Sequence, residues 1–424
     1  MLHLGRSNRQ CSSTSVRSGS LFRHPVYMLE QSKTFLNIYV GTLLLGFLFL
    51  PGVAQGFNED VGVWIPWWTD EAGVASALDN IRDIDIIYPF VYEVDKSGNL
   101  VNKVDFDESH WEDLFDEADE RRIEVIPTIA WFDGPAIHEM LSDKRKRKDH
   151  IEEIVNMVKD NRFDGVNIDY ESKLGETIDY FSDFLEELEG KLGRRDLTCT
   201  IEARTPADSL WRNVPANIQY ANDYKAMNKH CDWVEIMAYD QQRADIKLND
   251  ERRGVPYSPV ADTDWVEKVI ELALEDIDED KILLGVATYG RAWDVTVAAD
   301  WYKDYKRVAS LNHPRILELS KKYDSPIGRA EGGEAVITYF PEDSPWRILD
   351  ALPTPEGTPK GYEAAAKALM VATYANIEIP VRFVSWSDAS SIEEKLNLVE
   401  KYDLKGVAVF KVDGEEDPKM WKLF

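Results

Sequence analysis

Eight short runs rich in β-branched and aromatic residues recur from residue 61 onward. They lie at 61–66, 84–92, 123–131, 163–171, 197–203, 232–239, 282–289 and 407–410. Between them are longer stretches with apolar residues at helical spacing, as at 110–121, 149–161, 177–192 and 265–274. Strand and helix alternating eight times predicts an α/β chain whose parallel sheet closes on itself, a (β/α)8 TIM barrel. A doubly wound open sheet is the rival, but no Gly-rich phosphate loop follows the first strand. One interval is out of proportion, the stretch from 289 to 406. It holds a helix-like segment at 314–323, Gly- and Pro-rich segments at 325–333 and 353–361, and an Ala-rich segment at 362–375. Loops of that size carry their own structure. A small α+β insertion is expected at about 294–385, walling a groove on the C-terminal face of the barrel. A helix at 391–402 then leads into the last strand.

The fourth run, residues 163–171, reads Phe-Asp-Gly-Val-Asn-Ile-Asp-Tyr-Glu. On a strand, alternate residues share a face, so Asn167, Asp169 and Glu171 line one side and Val166, Ile168 and Tyr170 the other. Acids side by side resist joint ionisation, so such a row is expected to do chemistry. The competing reading is an exposed edge strand with ordinary alternation, against which Gly165 and its apolar neighbours argue. Barrel active sites sit at the C-terminal strand ends. There Glu171 reaches the substrate, with Asp169 two residues deeper and Asn167 deeper again. A carboxyl beside a carboxylate in a partly dry pocket keeps its proton to higher pH and can act as an acid near neutrality. The sixth run carries Tyr239 and Asp240 at its end. Aromatic residues also gather at strand ends, among them Trp64, Phe90 and Trp131, and can serve as core or as platforms for sugar rings.

The net charge of −28 argues against nucleic acid and anionic membrane surfaces as partners. It is compatible with a neutral substrate. The apolar segment 35–50 is preceded by Lys33 and followed by Pro51-Gly52-Val53-Ala54, the layout of a secretory signal cut after Ala54. Residues 28–54 are therefore expected to be a signal peptide counted from Met28, or an uncleaved membrane anchor. Residues 1–27 read as an atypical leader, or an upstream start in place of Met28. The remaining residues, 57–424, form the catalytic region and are expected outside the cytoplasm, secreted or in the cell envelope, as a monomer. Of three cysteines, Cys11 falls in the leader. That leaves Cys199–Cys231 as the one bridge open, but both lie by core strands and are expected as free buried thiols. The basic run Lys144-Arg145-Lys146-Arg147-Lys148 is assigned to a solvated helix surface. The few histidines show no ligand spacing, so no metal and no cofactor are expected.

The sequence resembles glycoside hydrolase family 18, the chitinase-like enzymes, from about residue 61 to the C-terminus. The family's Asp-x-x-Asp-x-Asp-x-Glu pattern is matched by Asp164, Asn167, Asp169 and Glu171. Its Met-x-Tyr-Asp is matched by Met237, Tyr239 and Asp240, and its Tyr-Gly-Arg by Tyr289, Gly290 and Arg291. Segments 314–327, 388–396 and 406–421 look closest to the bacterial spore-germination branch, whose members cut cell-wall polymers. The resemblance implies retaining hydrolysis of β-linked N-acetylglucosamine glycans such as peptidoglycan or chitin. In that scheme the substrate's own N-acetyl oxygen, not an enzyme carboxylate, attacks the sugar and gives an oxazolinium. Glu171 would protonate the leaving oxygen and later activate water. Asp169 would orient the acetamido group, and Tyr239 would hydrogen-bond its oxygen. Asp164, Asn167, Met237, Asp240 and Arg291 are carried over as substrate-binding, joined by the aromatics Trp64, Phe90 and Phe410.

Three departures stand out. Asn167 replaces an acid found in many members, which should let Asp169 ionise more readily. The third strand, at 126–130, lacks the Ser-x-Gly-Gly of typical chitinases. Phe410 occupies the place of a usual Trp, with Trp386 a nearby aromatic. A chitinase-like lectin with the same groove but no turnover is the alternative, and Glu171 favours catalysis over it. A structural or assembly factor of the cell envelope is a third reading.

Overall fold

The computed structural model describes residues 57–424. The leader, the signal or anchor segment and Cys11 lie outside the described residues. Among the described residues no helix is long and apolar enough to cross a membrane.

Eight parallel strands close into a barrel: Asp60–Pro66, Ile86–Val94, Thr128–Trp131, Gly165–Tyr170, Asp196–Glu202, Trp233–Met237, Ile282–Ala287 and Gly406–Phe410. Closure is made by the first strand, which pairs with the second and with the last. Alternate residues of each strand point outward under the helices. Helix Ile178–Leu192 buries Phe181, Phe184, Leu185, Leu188 and Leu192 against them, one stripe at helical spacing. Each such side chain contributes about 1.5–3 kcal/mol of transfer free energy.

The N-terminal face is held by a repeated clamp. Asp85, Asp164 and Asp232 each stand just before an even-numbered strand. Each accepts a hydrogen bond from a backbone N–H beside it, from Val61, Val125 and Leu197 at 2.9, 2.9 and 2.8 Å.

Two expectations are corrected here. Cys199 and Cys231 form a disulfide, with Cα atoms 6.1 Å apart. Cys199 alternates with the inward Thr198 and Thr200, so it points out of the barrel, where helix Tyr224–His230 delivers Cys231. The basic run is not uniformly solvated. It opens helix Lys144–Asp160, capped by Asp143, and its fourth cation, Arg147, is buried. The Arg147 guanidinium bonds Glu187 at 2.7 and 3.2 Å, Asp183 at 3.2 Å and the Leu141 carbonyl at 2.7 Å. Its position in the helix turns it toward the acids of Ile178–Leu192, while Lys144, Arg145 and Lys148 stay exposed.

After Thr288 alone, the seventh strand runs on into a five-stranded antiparallel sheet. Its order is Tyr302–Asn312, Tyr289–Val297, Ile379–Trp386, Ala335–Tyr339, Gly328–Arg329. The period-two pattern gives this sheet two apolar faces. Val295, Val297, Val381 and Phe383 meet the alanines of helix Glu363–Ala375. Ala292, Ile337, Val384 and Trp386 meet Ile316 and Leu319 of helix His313–Lys322. Trp386 is thus core of the inserted lobe. A Cβ on Gly290 would lie 2.4 Å from the Trp386 Cβ, so only glycine fits beside it. The lobe is tied to the barrel by Glu334, fully buried, which accepts from the Val260 and Ala261 amides at 2.9 Å each.

Candidate active site

The C-terminal strand ends open into a cavity of about 640 Å³. From the fourth strand, Asp169 points into it, and Glu171 follows just past the strand end, its amide donating to the Trp131 carbonyl at 2.9 Å. Trp64 and Phe90 reach it from the first two strands, and Met237, Tyr239 and Asp240 from the sixth strand and its continuation. Arg291 enters from the inserted sheet and Phe410 from the last strand. The Phe410 ring stacks on Tyr239 with centroids 5.8 Å apart and meets Trp64 and Phe90 edge-on at 6.0 Å.

Two of the expected site residues lie elsewhere. Asp164 is three positions from Asn167, so alternation puts it on the opposite face. It sits at the far end of the barrel as one of the backbone clamps. Asn167 is fully buried beneath the cavity. Its Oδ1 accepts from the Thr128 and Thr200 hydroxyls at 3.0 and 2.9 Å, and its Nδ2 donates to Thr198 Oγ1 at 2.6 Å and Glu235 Oε2 at 2.9 Å. The acid missing at 167 is thus met by one from the sixth strand.

Burial, then the Glu202 charge, pushes the Glu171 carboxyl up to about 7, against the opposing pull of Lys173. Burial and the neighbouring Glu171 hold Asp169 well above the usual carboxylate range. Both carboxyls therefore keep their protons to higher pH than free acids, and their ionisations are linked. Lys173 is buried, donates to the Tyr170 carbonyl and is itself shifted down by burial. Burial also raises Tyr239, which stays a neutral hydroxyl while the acids titrate.

The other acids at the mouth are engaged. Arg291 holds both oxygens of Asp240, Nε to Oδ1 at 2.9 Å and Nη2 to Oδ2 at 2.6 Å. Glu202 accepts from the Ser172 amide at 2.7 Å and from Asn222 Nδ2 at 3.3 Å. Asp169 Oδ1, by contrast, is buried with no hydrogen-bond partner. Away from the cavity, Asp70, Glu108 and His110 bring ligand-type atoms within 4.8 Å of one another, but Asp70 already bonds Trp111 Nε1 and His110.

The sequence profile of the family described as "Glycosyl hydrolases family 18" matches residues 71–415. The chain belongs to that family. As a family 18 member it is a glycosidase that hydrolyses glycans. It is 21% identical over 292 residues to the "Uncharacterized glycosylase YvbX" of Bacillus subtilis, covering 69% of each chain. It is 24% identical over 248 residues to the "Putative sporulation-specific glycosylase YdhD" of the same organism, 56% of this chain and about half, 52%, of that one. Its fold superposes on the Bacillus cereus spore cortex-lytic enzyme SleL with a TM-score of 0.61 at 18% identity, over 87% of this chain and 74% of that one.

Within this family 18 barrel, sequence reasoning passed over Glu202, Glu235, Thr200 and Lys173. Glu202 closes the fifth strand in phase with Thr198 and Thr200, as Glu171 closes the fourth, and Glu235 lies in phase with Trp233 and Met237. Those three were readable from alternation. Lys173, in a loop, leaves no periodic signal.

Proposed function

We propose that this glycosidase cleaves β-linked N-acetylglucosamine glycans with retention, the substrate's acetamido oxygen acting as nucleophile. Glu171 protonates the leaving glycosidic oxygen as the C–O bond breaks and the acetamido oxygen bonds the anomeric carbon. The resulting carboxylate then takes a proton from the water that opens the oxazolinium. Asp169 faces the acetamido nitrogen and stabilises its positive charge, and Tyr239 donates to the acetamido oxygen. The observation that carries this reading is the state of the acids at the mouth. Asp240 and Glu202 have both oxygens engaged, while Asp169 and Glu171 stand together on one strand with an oxygen of Asp169 unpartnered. A free carboxylate facing them as nucleophile is missing from that set. Trp64, Phe90, Met237 and Phe410 would seat the sugar rings, with Arg291 and Asp240 at the edge.

Among polymers we favour peptidoglycan over chitin, on the names of the sporulation-specific and cortex-lytic relatives. The site of action we assign is outside the cytoplasm, with residues 28–54 as signal or anchor and the catalytic region as a monomer. The Cys199–Cys231 disulfide fits an oxidising compartment.

The test is incubation of the purified protein with peptidoglycan and N-acetylglucosamine oligomers, with mass analysis of the products. Glu171→Gln should abolish cleavage while oligosaccharide binding persists, and a thiazoline mimic of the oxazolinium should inhibit the unmodified enzyme. Full-rate cleavage by Glu171→Gln overturns the acid assignment, and indifference to the thiazoline overturns substrate assistance.

A further inference from the structure

Beneath the cavity lies a second carboxyl that the reaction above does not use. Glu235 is fully buried on the sixth strand. Its Oε2 accepts from Asn167 Nδ2 at 2.9 Å and lies 3.5 Å from the Thr200 hydroxyl. The Tyr88 and Thr198 hydroxyls lie beside it and ease its ionisation against the effect of burial, and the Tyr88 hydroxyl accepts from Trp233 Nε1 at 2.8 Å. Its Oε1 has no partner. Among the described residues, the carboxylate oxygens that are buried without a hydrogen bond belong to Asp169 and Glu235.

The strand register relates the two. Thr200 stands opposite Glu235 in the ladder of the fifth and sixth strands. Ile168 stands opposite Cys199 in the ladder of the fourth and fifth, which places Asp169 opposite Thr200 one residue on. Asp169, Thr200 and Glu235 thus occupy neighbouring strands at one level, all on the inward phase. Asn167, one inward position below Asp169, is gripped at its amide nitrogen by Glu235 and at its oxygen by Thr200.

We propose that Glu235 is a positioning residue for the reaction, fixing Asn167 and Thr200 so that Asp169 meets the acetamido group in one rotamer and one charge state. This rests on the role given to Asp169 above. The groups facing Glu235 are Tyr88 from the second strand, Asp169 from the fourth, the hydroxyls of Thr198 and Thr200 from the fifth, Trp233 from its own strand and Leu283 from the seventh. None of these is a cation. Burial pushes Glu235 up to about 7, so below that pH it is neutral and adds no charge beside Asp169. Once Glu235 ionises, its charge opposes that of Asp169. Activity should therefore fall on the alkaline side with two ionisations, those of Glu171 and Glu235.

The experiment measures kcat and KM against pH on an N-acetylglucosamine oligomer for Glu235→Leu, Glu235→Gln, Asn167→Asp and the double variant Asn167→Asp/Glu235→Gln, with Glu171→Gln as control. Glu235→Leu should lower kcat about tenfold with KM within about twofold of the unmodified enzyme. Glu235→Gln, which keeps the shape, should regain most of that loss below neutrality, and its alkaline limb should fall with one ionisation instead of two. Asn167→Asp sets two carboxyls against each other and should cost about tenfold in kcat, with most of it restored in the double variant. Thermal melts report folding, and if Glu235→Leu does not fold, the Gln variant and the double variant carry the test. Unchanged kcat and limb steepness in the Glu235 variants, or additive losses in the double variant, overturns the proposal. If Glu171→Gln stays active, the assignment of the reaction fails instead.

Discussion

Arg291, on the inserted sheet, grips both oxygens of Asp240, which follows the sixth barrel strand with a left-handed backbone at φ 56°. A guanidinium fork suits this two-point contact, and an ammonium cannot reproduce it. The same pairing keeps one negative charge at the mouth neutralised, and Asp240 is among the groups that raise Glu171.

Replacing Arg291 with Lys should lower kcat/KM about tenfold, through loss of one strong hydrogen bond and a loosened cavity wall. Steady-state kinetics on N-acetylglucosamine oligomers check this. A variant that keeps its full kcat/KM would show the fork to be dispensable.

The Lys173 ammonium lowers the proton affinity of both Glu171 and Asp169. Removing it in Lys173→Met must therefore raise both. A general acid works while protonated, so the alkaline limb of the pH profile, set near 7 by Glu171, should move to higher pH. A limb set by ionisation of Asp169 should move the same way. A profile of kcat/KM from acid to alkaline pH reads both limbs, and a shift of either toward lower pH contradicts the electrostatic role given to Lys173.

The Cys199–Cys231 bond closes a loop of 32 residues. Its loss in the double Ser variant should cost about 3–4 kcal/mol of unfolding free energy by the loop-entropy relation. Denaturant titration with and without reductant measures it. Equal stability of the oxidised and reduced protein would mean that the bond adds no constraint.

The barrel was legible because its strands and helices obey two different periods, and eight repeats leave few other topologies. The row of Asn167, Asp169 and Glu171 was legible for the same reason. Asp164 was misplaced because a motif was followed across an odd spacing, where alternation already put it on the other face. The disulfide was missed because it depends on where helix Tyr224–His230 ends beside the fifth strand, a tertiary fact. Arg147 was missed because a run of like residues hides the one that faces a neighbouring helix. Glu235 was readable as an inward residue, but its role needed its partners on the fourth and fifth strands.

The inserted lobe grows from the seventh strand with a single residue between the two sheets. With Glu334 buried against Val260 and Ala261 and Arg291 locked to Asp240, it has no free joint to swing on. The wall that carries Arg291 is therefore built into the frame of the barrel.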